Sequence, residues 1–88
     1  MSIEAFFETI SEDPRITTAH VSIYLAMLSE FQNDQGEMYL VNRTRIMQLA
    51  KVNARSTYDK VMNDLADFGY IKYFPAFGRN SKIKFNKL

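Results

Sequence analysis

Asn53, Ser56, Lys60, Asn63 and Asp67 fall on one side of a 3.6-residue repeat whose other side is Tyr58, Met62 and Leu65, with Arg55, Thr57 and Asp59 flanking that face. Guanidinium, hydroxyl, ammonium and carboxamide groups on one helix face can bond the edges of bases. Arginine or lysine suits guanine and asparagine suits adenine. Arg43 and Arg45 stand at the start of the preceding helical segment, where the backbone dipole is already positive. Two more cations there cost stability, and a bound phosphate relieves that cost. Arg79, Asn80 and Lys82 mark the tip of a hairpin, while Lys51 and Thr57 flank the helices. The base-reading candidates are therefore Arg55, Ser56, Lys60 and Asn63, and the phosphate-binding candidates are Arg43, Arg45, Lys51, Thr57, Arg79, Asn80 and Lys82. Asp59 either pairs with Arg55 at i, i+4 or accepts from a cytosine amine, and the sequence leaves both open.

Other chemistry has little to stand on. The chain has no Cys and a single His. That excludes a disulfide framework, a thiolate nucleophile and a cysteine-based zinc site. His20 has no second ligand or catalytic partner within its pattern, so a structural role is expected for it, with no enzyme activity, metal or cofactor. An acidic start (Glu4, Glu8) and only short apolar runs argue against a signal peptide or a membrane span, and the expected compartment is the cytoplasm.

Eighty-eight residues, 47% hydrophobic and 24% charged, suit one small folded unit. The net charge of +1 conceals an asymmetry. Residues 1–37 hold seven acids and one base, a net −6, and residues 38–88 hold ten bases and three acids, a net +7. Such a split points to a polyanionic partner on one face.

The elements that would carry these groups follow from periodicity. Ile3, Phe6, Phe7 and Ile10 form a helical stripe behind Ser2, which Pro14 closes off. Val21, Tyr24, Leu25, Leu28 and Phe31 predict a longer helix capped by Thr17 or Thr18. Met38–Val41 reads as a short strand, and Asn42 caps a helix through Ile46, Met47, Leu49 and Ala50. Tyr58, Val61, Met62, Leu65 and Phe68 predict the next helix, ended by Gly69 in a left-handed conformation. Tyr70–Phe74 and Ser81–Phe85 read as a hairpin, with Tyr70, Lys72 and Phe74 sharing one face. The order is helix, helix, strand, helix, helix, strand, strand.

A strand, two helices joined by a tight turn, and a terminal hairpin resemble the winged helix-turn-helix superfamily. Leu65-Ala66-Asp67-Phe68-Gly69-Tyr70-Ile71 is similar to its junction between recognition helix and wing, and Arg55-Ser56-Thr57-Tyr58 to the start of its recognition helix. From Ile16 to Phe85 the chain resembles small winged-helix proteins of phages and conjugative elements, through Ile23-Tyr24-Leu25-Ala26, Leu49-Ala50-Lys51 and Phe68-Gly69-Tyr70-Ile71-Lys72. The resemblance implies an α+β, mostly helical fold: a three-helix core with a β-hairpin wing in residues 14–88, preceded by an extra amphipathic helix and linker in residues 1–13. It implies binding of double-stranded DNA by a small transcriptional regulator or accessory factor of a mobile element. The alternative is a winged-helix module that meets another protein without binding DNA.

One departure concerns the interhelical turn, Lys51-Val52-Asn53-Ala54, which lacks the usual glycine. Asn53 is expected either to take the left-handed backbone or to cap the next helix. The N-terminal helix must also bury Phe6, Phe7 and Ile10, either by folding back on its own domain or by pairing with the same helix of a second chain, and the expectation is a homodimer through this helix.

Overall fold

The computed structural model describes residues 3–31, 38–76 and 80–88. Along these residues run α1 (Ile3–Ser11), α2 (Thr18–Glu30), β1 (Tyr39–Val41), α3 (Arg43–Ala50), α4 (Arg55–Asp67), β2 (Ile71–Phe74) and β3 (Ser81–Phe85). The fold is α+β and mostly helical, with four helices and a three-stranded antiparallel sheet among the described residues. The element order matches the periodicity of the sequence.

Each helix ends for a local reason. At α2, the Thr17 backbone N–H donates to Nδ1 of His20 at 2.9 Å, so a histidine fills the role that a glutamate plays in the usual capping box. At α3, the Asn42 side chain accepts from the Arg45 backbone N–H at 3.1 Å. The other ends of α3 and α4 share one design. Val52 N–H bonds Met47 O at 3.0 Å and Lys51 N–H bonds Gln48 O at 3.4 Å; likewise Tyr70 N–H bonds Leu65 O at 2.9 Å and Gly69 N–H bonds Ala66 O at 3.2 Å. Both are Schellman closures, which need a left-handed residue just past the helix. Gly69 supplies it as expected, with φ 89°.

The turn between α3 and α4 departs from expectation. Its left-handed residue is Lys51, at φ 60°, and the N-cap of α4 is Ala54, which makes no side-chain cap bond. Asn53 takes neither role. The bond from Val52 to Met47 dictates this, because it places the left-handed residue at position 51.

The sheet order is β1-β3-β2. Ile83 in the middle strand lies opposite Tyr39 on one side and Tyr73 on the other. Val41, Ile71 and Ile83 turn inward onto Ile23, Tyr24 and Met27 of α2, Ile46 and Ala50 of α3, and Tyr58, Val61, Met62 and Leu65 of α4, all buried in one core. β2 begins at Ile71 rather than Tyr70. Tyr70 is buried as part of the Schellman closure and donates its hydroxyl to Asp13 Oδ2 at 2.8 Å, so it does not join Lys72 and Phe74 on the outer face.

α1 belongs to the same core. Phe6 is fully buried and stacks on Tyr24 with ring centroids 4.0 Å apart, with the edge of Tyr70 6.0 Å away. Burying a ring of this size contributes about 1.5–3 kcal/mol. Phe6 is thus withdrawn from the dimer face expected of it, and Ile10 is half-buried against the core. Phe7 and Ile3 remain exposed.

Candidate nucleic-acid interface

A groove of about 690 Å³ lies between the start of α3, one flank of α4 and the base of the β2–β3 hairpin. Of the residues singled out from the sequence, it gathers Arg43, Arg55, Asn63 and Asn80, together with Asp59. Asn42, Thr44, Tyr58, Tyr73 and Ser81 complete its polar lining. A more open hollow adjoins it, lined by Met47, Gln48, Val52 and Asn53, and shares Arg43, Thr44 and Arg55 with it. The two arginines therefore stand on the ridge between both depressions.

α4 splits its outward residues between two flanks, as 100° per residue requires. Arg55, Asp59 and Asn63 follow one another along the groove side. Thr57, Lys60 and Asp64 follow the opposite flank, toward α2, and Ser56 sits exposed on the crest. Lys60 Nζ bonds Asp64 Oδ2 at 2.8 Å, and the same oxygen lies 2.9 Å from Nε2 of His20. Because Nδ1 of His20 accepts from the Thr17 backbone, its proton sits on Nε2 and is given to Asp64. The Lys60 ammonium first, and His20 second, hold the Asp64 carboxyl below the usual carboxylate range. His20 is buried, and its role is to pin α2 to α4.

The other cations differ in how free they are. Arg55 Nε lies 3.6 Å from Asp59 Oδ2, the i, i+4 pair left open by the sequence. Arg45 Nε bonds Glu30 Oε1 at 2.7 Å, which turns it toward the end of α2. Exposed pairs of this kind are worth only about 0.2–1 kcal/mol, so an incoming phosphate can displace them. Arg43 and Lys51 are exposed and enter no ion pair among the described residues. Asn63 donates its amide to the Asp59 carbonyl at 2.9 Å and keeps its carboxamide oxygen available.

Arg79 lies outside the described residues. Lys82 stands opposite Leu40 and Phe74 on the outer face of the sheet, away from the groove lined by Asn80 and Ser81. The alternation of Ser81-Lys82-Ile83 already carries that separation, because an inward Ile83 puts Lys82 outward.

Among the described residues no cluster of three His, Asp or Glu side chains is placed to hold a metal ion, and no helix is long and apolar enough to cross a membrane. Comparison with known proteins found no matching family model, curated protein or solved structure.

Proposed function

We propose that the chain is a winged helix-turn-helix protein that binds double-stranded DNA, with α2, α3 and α4 as the helical core, α4 as the recognition helix and the β2–β3 hairpin as the wing. One observation carries this reading: Arg43, Arg55, Asn63 and Asn80, from three different elements, line a single groove. In this reading phosphate sits at the start of α3, where the free N–H groups and Arg43 converge, with Lys51 at the far end of that helix. Arg55, Ser56 and Asn63 face base edges in the major groove, and Lys60 exchanges Asp64 for phosphate or base. Asp59 orients the Arg55 guanidinium. The biological role, a small regulator or accessory factor of a phage or mobile element, rests on the sequence resemblance.

Fluorescence anisotropy on a random duplex tests the proposal. Affinity should fall linearly in log–log against salt, with a slope of about −0.9 for each phosphate engaged. Arg43→Ala with Arg55→Ala should weaken binding and flatten that slope, while Lys82→Ala, on the other side of the sheet, leaves both nearly unchanged. Absence of binding at low salt, with the double variant indistinguishable from the parent, would exclude DNA and leave the groove to a protein partner.

A further inference from the structure

Among the described residues, two surfaces away from the groove carry exposed charge of opposite sign that no ion pair takes up. On α1, Glu4 and Glu8 are exposed and enter no ion pair among the described residues, and Glu12 follows them one turn on. Beside them on the same outward side stand Ile3, 53% exposed, and Phe7, 45% exposed. On the outer face of the sheet, Lys72, Lys82 and Lys84 are likewise unpaired among the described residues. Beside them stand Leu40, 59% exposed, and Phe74, 42% exposed. No acid lies within β1, β2 or β3.

This sheet face is costly as it stands. Lys72 and Lys84 are directly opposite one another, and like charges in that position are destabilising. Leu40 and Phe74 flank Lys82 in register, so two large apolar side chains lie in water where an outward strand position ordinarily carries a polar group. A helix with an apolar edge and a row of acids is the layer that such a face lacks. The spacings agree: Glu4 and Glu8 are about 6 Å apart along the helix axis, and Lys82 and Lys84 about 7 Å apart along the strand.

We infer that the chain associates with a second copy of itself, the Ile3, Glu4, Phe7, Glu8 face of α1 in one copy lying on the Leu40, Lys72, Phe74, Lys82, Lys84 face of the sheet in the other. The molecule cannot satisfy itself, because Phe6 fastens α1 against Tyr24 on the inner side of the sheet, where Tyr24 also meets Phe85 with centroids 5.5 Å apart. Pairing of α1 with α1, the arrangement expected from the sequence, is disfavoured twice. It opposes glutamate to glutamate, and Phe6 is already spent in the core. The contact is between unlike surfaces, so it closes into a dimer if reciprocal and extends if not. It is independent of the DNA groove.

Sedimentation equilibrium of the full chain over a range of concentrations tests the inference. The parent protein should exceed its 10.3 kDa monomer mass at low salt. It should dissociate at about 1 M salt, where screening reaches about 3 Å. Glu4→Lys with Glu8→Lys, and separately Lys72→Glu with Lys84→Glu, should each weaken self-association about tenfold or more, with circular dichroism unchanged. An equimolar mixture of the two variants should associate again, since the reversed helix of one fits the reversed sheet of the other. Misfolding of either variant cannot produce that recovery. A parent that stays monomeric, a variant that stays associated, or a mixture that stays monomeric overturns the inference. Loss of nucleic-acid binding by the sheet variant alone, with a monomeric parent, assigns the lysine face to nucleic acid instead.

Discussion

Lys51 and Gly69 occupy the same place in two copies of one helix-ending motif, at φ 60° and 89°. The glycine takes this backbone without strain, whereas a side chain there costs about 1–2 kcal/mol. A Cβ at position 69 would meet nothing within 4 Å, so Gly69→Ala should lose only that conformational term, about 1 kcal/mol. Lys51→Gly should gain up to about 1 kcal/mol, the relief of strain less the added freedom of the unfolded chain. Urea denaturation reads both. If Lys51 holds a phosphate, the same Lys51→Gly variant binds duplex DNA more weakly while folding more firmly.

The linker after α1 makes stability depend on pH at both ends. Asp13 accepts two hydrogen bonds from the Arg15 side chain, each at 2.8 Å, and one from the Tyr70 hydroxyl. The Arg15 guanidinium first, and Tyr70 with it, hold the Asp13 carboxyl well below its ordinary 3.8. That contribution is complete above about 3.8 and is lost as pH falls through the lowered folded value. Burial, then the Asp13 bond, pushes the Tyr70 hydroxyl from 10.0 up to about 12, so its contribution holds below 10 and is lost as pH rises through about 12. In acid titrations followed by circular dichroism, Arg15→Gln should raise the unfolding midpoint more than Tyr70→Phe does.

Adjacent phenylalanines should behave differently. Phe6→Ala empties a site between Tyr24 and Tyr70 and should cost about 3–5 kcal/mol. Phe7→Ala removes a half-exposed ring and should cost about 1 kcal/mol or less. Thermal unfolding distinguishes the two, and equal losses would mean that both rings serve the core.

The tie between α2 and α4 has its own signature in the titration of Asp64. His20→Ala should raise the Asp64 pKa toward the ordinary carboxylate value, and Lys60→Ala should raise it further, because the ammonium is the larger influence. Carboxyl carbon shifts by NMR follow this residue directly. His20→Ala should also lower stability by roughly 1–3 kcal/mol, because a buried ring and its bonds to Thr17 and Asp64 are lost together.

Much of the architecture was legible in local patterns. The stripes Val21–Phe31 and Tyr58–Phe68, the cap at Asn42 and the stop at Gly69 are signals contained within a few residues, and the elements formed where those signals lie. What escaped depends on distance. His20 meets Asp64 across 44 positions and Arg45 meets Glu30 across 15, and no spacing rule reaches that far. The choice of Phe6 over Phe7 for the core belongs to tertiary packing, since both lie on the apolar stripe. Lys51 was hidden because a left-handed lysine has no compositional mark, though Met47 and Val52, five apart, bracket the closure it completes. In the candidate interface the sequence joined Lys82 and Lys60 to the groove residues; strand alternation moves the first to the outer face, and helix phase moves the second to the α2 flank.

Every ladder in the sheet has β3 as one of its two strands, since β1 and β2 flank it and do not meet. β3 is also the last of the three in sequence. On a ribosome, Tyr39–Val41 and Ile71–Phe74 therefore emerge with no neighbour to pair with, and neither ladder can form until Ser81–Phe85 is free. A chain stopped at Asn80 would lose all of its sheet rather than one strand of it.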